Sequence, residues 1–299
     1  MSTLQFNALE HLKNANDNNK VLLPDGTVVP RLGQGTWYMG ETLRNVQEEI
    51  NALRLGIELG MTLIDTAEMY GDGKAELIVG QAIKDYRDKV FLVSKVYPHN
   101  AGFNNISISC EASLKRMKTD YLDLYLLHWR GGVPLEETIE GMEGLIKTGK
   151  ILRWGVSNFA THDMKELTML PNGKSCSVNQ VLYHLGSRGI EYDLLDFQKQ
   201  NHIPVMAYCP IAQAGRLRKG LLESKIVKEL AEKHRVNPAQ ILLSWSMRSG
   251  DVIAIPKAAN TNHILENARS NTFTLTTEDL QKLDTAYPKP NKKVSLDMV

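Results

Sequence analysis

One strand–helix–strand unit lies in residues 62–95, which read TLIDTAEMYGDGKAELIVGQAIKDYRDKVFLVSK. Two short apolar runs, at 62–65 and 90–95, have the composition of buried parallel strands. Residues 75–83, between them, carry apolar side chains at helical spacing. Because a strand–helix–strand unit occupies about 30 residues, the stretch predicts one strand, one helix and a second, parallel strand.

The same unit recurs along the chain. Eight apolar or β-branched runs occur at residues 33–37, 62–65, 90–95, 122–128, 151–157, 176–180, 204–208 and 252–257. Their starts are 29, 28, 32, 29, 25, 28 and 48 residues apart, so six of the seven gaps have room for one helix. The long gap divides at Asn237-Pro238 into predicted helices at 224–234 and 238–247. The pattern predicts an α/β fold with a single (β/α)8 TIM barrel; an open doubly wound sheet is the alternative.

Further segments flank the predicted barrel. Residues 21–23 and 27–29 surround the turn tripeptide Pro24-Asp25-Gly26, which predicts an N-terminal β-hairpin. Residues 262–268 and 278–286 predict extra C-terminal helices. A polar run at 14–19 indicates that residues 1–20 are a loosely ordered polar N-terminal extension. No linker composition interrupts the remainder, so we expect one domain at 21–299.

Composition argues against several classes of protein. Lys plus Arg number 35 and Asp plus Glu number 34, and this net charge of +1 does not favour binding to nucleic acid or to a membrane surface. No apolar stretch approaches the roughly 18 residues of a membrane span, and residues 1–20 lack the pattern of a secretory signal. The 3 cysteines lie too far apart for a disulfide framework or a zinc site. We therefore expect a cytoplasmic protein that has no metal site and acts on a small molecule.

Polar residues stand at the C-terminal ends of the predicted strands. In a TIM barrel the loops at that end form the active-site face. One such residue alone is most often simply solvated, whereas a whole set at one rim predicts a functional site. The set comprises Asp65, Lys95, His128, Ser157, Asn158, Gln180, Tyr208 and Lys257.

Five motifs in order identify a family. They are LIDTAEMYG at 63–71, VSK at 93–95, LLHW at 126–129, GVSNF at 155–159 and IPK at 255–257. Together they closely resemble the aldo-keto reductases, over residues 21–287, and among these the short-loop prokaryotic aldehyde and methylglyoxal reductases. The resemblance implies an NAD(P)H-dependent oxidoreductase with a catalytic tetrad of Asp65, Tyr70, Lys95 and His128.

These residue types suit carbonyl reduction. Adding a hydride puts negative charge on the carbonyl oxygen, which then needs a proton and hydrogen-bond donors. The resemblance implies that Tyr70 gives the proton, that Asp65 holds Lys95, and that His128 hydrogen-bonds and orients the carbonyl. A phenol has an ordinary pKa of about 10. We expect the neighbouring ammonium of Lys95 to lower the pKa of Tyr70.

The resemblance implies NADPH or NADP+ as the cofactor. It assigns Ser157, Asn158 and Gln180 to the nicotinamide carboxamide and Tyr208 to the nicotinamide ring. Asp65 also lies near the nicotinamide ribose in the family. Neither Gly33-Gln34-Gly35 nor Gly71-Asp72-Gly73 continues into the third glycine of a Rossmann fingerprint, and a barrel does not need one.

The adenosine end of the cofactor is where the sequence departs from the family. The resemblance assigns Lys257 to the 2′-phosphate and Glu266 and Asn267 to the adenine. Ala258 stands where the family commonly has a hydroxyl residue, and His263 where it has an arginine. Because arginine supplies a permanent charge and a two-pronged contact to phosphate, we expect weaker discrimination against NADH here.

The substrate pocket is predicted from aromatic residues and loop lengths. Trp37, Tyr97 and Trp129 are candidates for its walls, and Arg130 is a candidate for attracting an anionic substrate group, although a solvated rim arginine is the favoured interpretation. The segments 130–134, 211–219 and the tail after Tyr287 are short. With the resemblance, this implies an open pocket for small aldehydes, dicarbonyls or ketones. A monomer is the usual family form.

Two other functions stay open on the sequence alone. The fold also serves as a non-catalytic nicotinamide-nucleotide-sensing accessory subunit of potassium channels, a role that the intact tetrad does not favour. A barrel hydrolase would need a metal or a carboxylate pair, and the sequence has neither an H-x-H pair nor a strongly acidic rim.

Overall fold

The structure, a computed structural model, describes residues 3–299, apart from the side chains of residues 3–5 and 43. Its strands are β1 (Lys20–Leu22), β2 (Val28–Pro30), β3 (Gln34–Gly35), β4 (Leu63–Asp65), β5 (Phe91–Val96), β6 (Leu124–Leu127), β7 (Trp154–Ser157), β8 (Asn179–Leu182), β9 (Val205–Tyr208) and β10 (Val252–Ile255). Its α-helices are α1 (Thr3–Asn18), α2 (Val46–Glu58), α3 (Lys74–Ile83), α4 (Phe103–Met117), α5 (Leu135–Lys147), α6 (Thr161–Met169), α7 (Leu194–Gln200), α8 (Arg216–Glu223), α9 (Lys225–His234), α10 (Pro238–Ser246), α11 (Thr261–Ala268) and α12 (Thr277–Ala286).

Strands β3 to β10 form a parallel barrel. They pair with their sequence neighbours from β3 through to β10. Parallel bridges Leu32–Ala254 and Gly35–Lys257 join the first strand to the last, and the Gly33 amide donates to the Ala254 carbonyl at 2.8 Å. The closure needs glycine, since a Cβ on Gly35 would lie 2.8 Å from the Ile255 carbonyl oxygen. The predicted barrel is confirmed and the open-sheet alternative is wrong.

The barrel interior contains a buried apolar cluster beneath the predicted site. Side chains alternate along a strand, so residues two apart share a face. One buried cluster includes Leu63, Val93, Leu126 and Ile255, from four strands, and Val178, which directly precedes β8. The polar residues Asp65, Lys95, His128, Gln180 and Lys257 each follow one of these by two positions, which puts them on the inner face at the C-terminal rim.

The β1–β2 hairpin closes the opposite end of the barrel. Its antiparallel register pairs Val21 with Val29, as the turn at residues 24–26 predicts. Val21, Leu23 and Val29 are buried in the same cluster as the inward-facing barrel residues. The floor of the barrel is therefore apolar, and its polar chemistry is confined to the C-terminal rim.

The prediction of a loose N-terminal extension is wrong for residues 3–18, which form α1. Leu12 is buried beside Leu59 and Met61 in a second apolar cluster. Asn16 is only 1% exposed, and its Nδ2 donates to the carbonyls of Leu12, Leu59 and Ala268. These contacts with the barrel stabilise α1. The polar composition of the segment gives no sign of them. Residues 1 and 2 lie outside the described part of the chain.

The connection between β9 and β10 contains three helices, one more than the sequence predicts. α9 and α10 match the predicted helices at 224–234 and 238–247, and Asn237 caps α10 by accepting from the Gln240 amide at 3.0 Å. α8 is the extra helix, and Leu221 is its one buried residue. Within residues 3–299, none of the helices combines the length and apolar character needed to cross a bilayer.

Candidate active site

Lys95 lies at the centre of the rim and its ammonium group has three acceptors. Nζ lies 2.8 Å from Asp65 Oδ2, 2.8 Å from the Thr66 carbonyl oxygen and 3.1 Å from Tyr70 Oη. An ammonium carries three protons, so each has a partner. Strand β5 supplies the lysine, while β4 and the loop after it supply all three acceptors.

The protonation of this group differs from the sequence-based expectation for Tyr70. Burial raises the pKa of Asp65 and lowers the pKa of Lys95, while their mutual attraction opposes both shifts. Burial and the negative charge of Asp65 hold the pKa of Tyr70 well above its ordinary value. The expectation of a lowered pKa for Tyr70 is therefore wrong for this site, because burial and the negative charge of Asp65 outweigh the effect of the neighbouring lysine. The phenol is held in its protonated form.

His128 faces Tyr70 across the site. The two rings meet edge-on, with their centroids 5.8 Å apart. Burial, reinforced by the charge of Lys95, lowers the pKa of His128 to about 2. Its Nδ1 is buried and has no hydrogen-bond partner. His128 is thus a neutral imidazole beside the phenol.

The three predicted pocket aromatics surround these two rings. Trp37 stacks on Tyr70 at a centroid distance of 6.3 Å. The ring centroids of Trp129 and His128 are 4.9 Å apart. The Tyr97 ring meets the Trp129 ring edge-on, with their centroids 5.9 Å apart. The structure therefore brings the predicted wall residues together beside Tyr70 and His128.

Arg130 already has two acidic partners in this structure. Its guanidinium binds Glu166 through two hydrogen bonds of 2.6 and 2.7 Å and Asp163 through one of 3.2 Å. Both carboxylates belong to α6. Two acidic groups already balance the arginine charge, which favours the interpretation of a rim arginine over the hypothesis that Arg130 attracts an anionic substrate.

The residues predicted to hold the nicotinamide form a connected network. Ser157 Oγ donates to the Gln180 carbonyl at 2.8 Å. Asn158 Nδ2 donates to the His128 carbonyl at 3.2 Å, and Tyr208 Oη donates to Asn158 Oδ1 at 2.9 Å. Asn158 has a φ of 60°, in the left-handed region, and this turn follows the end of β7.

Gln180 connects this network to the tetrad. Its Nε2 donates to Asp65 Oδ1 at 2.7 Å. Asp65 therefore accepts from Lys95 on one oxygen and from Gln180 on the other. Strands β4 and β8 are not neighbours in the sheet, so the contact crosses the barrel interior. The sequence shows no local signal for this pairing.

The residues predicted for the adenosine end of the cofactor lie after β10. Lys257 is exposed at the strand end, whereas Ala258 is buried. Asn260 caps α11 by accepting from the His263 amide at 2.9 Å, and the first turn of that helix contains no acidic residue. Glu266 and Asn267 follow in α11, and Asn267 is 7% exposed.

Two features near the site were not predicted. Glu68 Oε1 accepts from the Tyr97 amide at 2.7 Å and from Asn100 at 3.3 Å, which holds the loop that bears Tyr97. The chain end also approaches the rim: Asp297 accepts from Ser187, and the Val299 backbone lies close enough to Tyr208 to oppose the burial-driven rise in its pKa. The shortness of the tail indicated an open rim, but its residues reach the cofactor network.

Comparison with known proteins agrees with this geometry. Residues 31–288 match the aldo/keto reductase family. The chain belongs to the aldo/keto reductase family. The resemblance read from the motifs is therefore confirmed.

Similar members of the family include proteins of known activity. The chain is 58% identical to methylglyoxal reductase YeaE of Escherichia coli over 271 residues, covering 91% of this chain and 95% of the relative. It is 36% identical to glyoxal reductase of Bacillus subtilis, covering 88% and 91%. A crystal structure of an aldo/keto reductase from Klebsiella pneumoniae in complex with NADP and acetate has a TM-score of 0.92 and 54% identity, covering 94% of this chain and 99% of that one. A crystal structure of an aldo-keto reductase from Klebsiella pneumoniae in complex with NADPH also has a TM-score of 0.92 and 54% identity.

Proposed function

We propose that this protein is an NADPH-dependent reductase that converts small aldehydes, dicarbonyls or ketones into alcohols. The observation that carries the proposal is the Asp65–Lys95–Tyr70 chain of contacts, placed beside a neutral His128 in one aromatic cleft. The similarity to the methylglyoxal and glyoxal reductases supports the substrate class. An intact tetrad does not favour the alternative of a non-catalytic nucleotide-sensing subunit.

The residues around the rim fit a nicotinamide dinucleotide phosphate. Lys257 is exposed and lies three residues before Asn260, the N-cap of α11, and that helix has no acidic residue in its first turn. A lysine next to a helix N-terminus is a suitable environment for a phosphate group. Lys257, with His263, would hold the 2′-phosphate; Glu266 and Asn267 would hold the adenine, and Ser157, Asn158, Gln180 and Tyr208 the nicotinamide. When bound, NADPH supplies the hydride.

Tyr70 is the proton donor in this proposal. Its hydroxyl oxygen already accepts from Lys95 Nζ at 3.1 Å, which leaves the phenolic proton available to a substrate oxygen. The raised pKa keeps the phenol protonated until a basic oxygen forms beside it. The Lys95 ammonium then lies within hydrogen-bond distance of the phenolate that the transfer leaves behind.

Asp65 acts through the lysine. It accepts from Nζ at 2.8 Å and is itself held by Gln180 at 2.7 Å. A buried ammonium without a counter-ion would lose its proton, since burial disfavours the charged form. Asp65 therefore keeps Lys95 charged, and Gln180 keeps Asp65 oriented.

His128 and the aromatic walls position the substrate. A neutral imidazole has one N–H donor, which can hydrogen-bond the carbonyl oxygen without competing as an acid. Trp37, Tyr97 and Trp129 line the cleft with flat apolar surfaces. Since Arg130 is bound to Glu166 and Asp163, the pocket favours small uncharged carbonyl compounds.

A spectrophotometric assay tests the proposal. NADPH oxidation is followed with methylglyoxal, 4-nitrobenzaldehyde and a series of ketones and keto acids, and each is repeated with NADH. We expect turnover with the small aldehydes and dicarbonyls, and a lower kcat/KM with NADH. Absence of turnover with every carbonyl, despite NADPH binding, would favour the accessory-subunit alternative.

Three further expectations accompany this proposal: a barrel domain at residues 21–299, a cytoplasmic location and a monomeric state. The near-neutral charge of +1 supports small-molecule partners over nucleic acid or membrane. Size-exclusion chromatography with light scattering tests the monomer, with about 33.5 kDa expected.

A further inference from the structure

Glu68 lies in the loop after β4, between two residues of the tetrad. It follows Asp65 by three positions and precedes Tyr70 by two. The loop is folded into turns, in which the Tyr70 amide donates to the Ala67 carbonyl at 3.1 Å. Glu68 is half-buried, and the proposed proton transfer gives it no part. A contact made by its carboxylate is a contact to the loop that carries the proton donor.

The Glu68 carboxylate binds the loop after β5 at two points. Its Oε1 accepts from the Tyr97 amide at 2.7 Å and from Asn100 Nδ2 at 3.3 Å. Tyr97 and Asn100 stand at the two ends of one short turn, in which the Asn100 amide donates to the Tyr97 carbonyl at 2.9 Å. Hydrogen bonds to a charged acceptor are stronger than those between neutral groups. One carboxylate oxygen therefore holds both ends of the turn that presents Tyr97.

The Tyr97 ring leads back to the tetrad through two other rings. The centroids of Tyr97 and Trp129 are 5.9 Å apart, and those of Trp129 and His128 are 4.9 Å apart. The His128 ring in turn meets the Tyr70 ring edge-on at 5.8 Å. Packed aromatic pairs have centroid distances of about 4.5–7 Å, and all three distances lie in that range. The ring contacts thus run from Tyr70 to Tyr97, and Glu68 closes them into a circuit.

The loops after β5 and β6 also pack against each other. Gly131 lies two positions after Trp129, and a Cβ on Gly131 would collide with Pro98 Cβ. Pro98 is buried and directly follows Tyr97. Because the two loops are in contact at this point, a displacement of Tyr97 would also disturb the loop that bears Trp129.

We propose that Glu68 is a positioning residue, which strengthens substrate binding by fixing Tyr97, and through it Trp129, relative to Tyr70. The inference rests on the proposed reductase function and adds a determinant of substrate affinity to it. Lys95 Nζ, at 3.1 Å from Tyr70 Oη, holds the phenol independently of Tyr97. Loss of Glu68 should therefore weaken binding of the carbonyl compound more than it slows proton transfer. The effect should be larger for an aromatic aldehyde than for methylglyoxal, since an aromatic ring offers more surface to the two walls.

Glu137 supplies a matched control. Its Oε1 accepts from the Phe103 amide at 3.0 Å, so it also joins a carboxylate to a backbone amide. Phe103 begins α4, six residues after Tyr97, and Glu137 belongs to the first turn of α5. Loss of either carboxylate removes the same kind of hydrogen bond from the same connection, but only Glu68 holds Tyr97.

Steady-state kinetics with 4-nitrobenzaldehyde and with methylglyoxal, at saturating NADPH, test the inference. The proteins are wild type, Glu68→Gln, Glu68→Ala, Glu68→Leu, Glu137→Ala, Tyr97→Ala and the double variant Glu68→Ala/Tyr97→Ala. Glu68→Gln keeps an acceptor oxygen, and Glu68→Leu removes it with less loss of volume, in case Glu68→Ala does not fold. The double variant asks whether Glu68 acts through Tyr97, since coupled residues have non-additive effects. NADPH affinity is measured in each protein by fluorescence.

We expect Glu68→Ala and Glu68→Leu to raise KM for 4-nitrobenzaldehyde at least about fivefold, and KM for methylglyoxal less, with kcat and NADPH affinity within about twofold of wild type. A higher KM at an unchanged kcat indicates lost substrate binding. Glu68→Gln and Glu137→Ala should both stay within about twofold of wild type. In the Tyr97→Ala background, the further loss of Glu68 should change KM by less than about 1.5-fold.

Failure of the inference and failure of the reductase proposal give different results. A wild type that oxidises NADPH with neither compound overturns the reductase proposal and this inference with it. With an active wild type, the inference alone is overturned by any of three results. These are unchanged KM values in Glu68→Ala and Glu68→Leu, an equal rise in KM in Glu68→Gln or Glu137→Ala, and effects of Glu68→Ala and Tyr97→Ala that multiply in the double variant.

Discussion

Lys95 Nζ and Asp65 Oδ2 lie 2.8 Å apart, with side-chain exposures of 0% and 3%. Such a buried pair contributes little to stability on balance, because desolvation of both charges offsets their attraction. Its value here is chemical: the aspartate keeps the lysine charged, and the lysine contacts Tyr70 at 3.1 Å. The intact pair therefore matters more for the proton chemistry than for the free energy of folding.

Removing the lysine alone should destabilise the protein strongly. Lys95→Met leaves Asp65 buried without its counter-ion, and loss of one partner of a buried pair costs about 3–5 kcal/mol. The double variant Asp65→Asn/Lys95→Met carries no buried charge and should recover most of that loss. Both should lack reductase activity. Urea unfolding and NADPH oxidation measure the two effects; a double variant no more stable than the single one would contradict the coupling.

The stability of the protein should fall as the pH drops below about 6.5. His128 has a folded pKa of about 2, whereas an unfolded histidine titrates near 6.5. The unfolded chain therefore takes up a proton that the folded site excludes, and the free energy of unfolding falls by about 2 kcal/mol between pH 7 and pH 5 from this residue. Urea unfolding at both pH values, in wild type and His128→Gln, measures it. Equal pH dependence in the two proteins would show that His128 is not the cause.

Cofactor preference should depend on the cations near α11. Lys257→Ala is expected to weaken NADPH binding at least tenfold and NADH binding less than twofold, because only NADPH carries the 2′-phosphate. His263→Arg should strengthen NADPH binding, since arginine adds a permanent charge and a two-pronged contact. Fluorescence titration with both cofactors gives the four affinities. If Lys257→Ala weakened the binding of NADPH and NADH equally, Lys257 would not contact the 2′-phosphate.

Arg130 should not select charged substrates. Its guanidinium is already bonded to Glu166 and Asp163. We expect Arg130→Ala to keep the wild-type ratio of kcat/KM for 2-carboxybenzaldehyde and benzaldehyde within twofold. A fall in the relative activity toward the carboxylated aldehyde of tenfold or more would restore a role for this residue in anion recognition.

The fold and most positions of the site could be predicted from the sequence because they follow local rules. Apolar runs at a spacing of about 30 residues predict the barrel, and the alternation of side chains predicts which residue at each strand end faces inward. The positions of Asp65, Lys95 and His128 follow from those two rules. Tyr70 lies in a loop, and its place was predicted only through the family resemblance.

What escaped prediction depends on contacts between distant residues. Gln180 Nε2 donates to Asp65 Oδ1 across the barrel at 2.7 Å. The periodicity of the sequence does not predict this contact. Helix α1 is stabilised by Asn16, whose amide bonds to carbonyls 43 and 252 residues away. The pKa of Tyr70 was predicted in the wrong direction, because the sequence shows the neighbouring lysine but not the burial that outweighs it.

The most direct test of the account is the rate of NADPH oxidation with methylglyoxal in wild type and Tyr70→Phe, with NADPH affinity measured in both by fluorescence. The substitution removes the phenolic proton and leaves the ring that stacks with Trp37 at 6.3 Å. We predict a loss of at least 100-fold in kcat, within the range for a general acid, with NADPH affinity unchanged within threefold. Equal turnover in the two proteins would contradict Tyr70 as the proton donor.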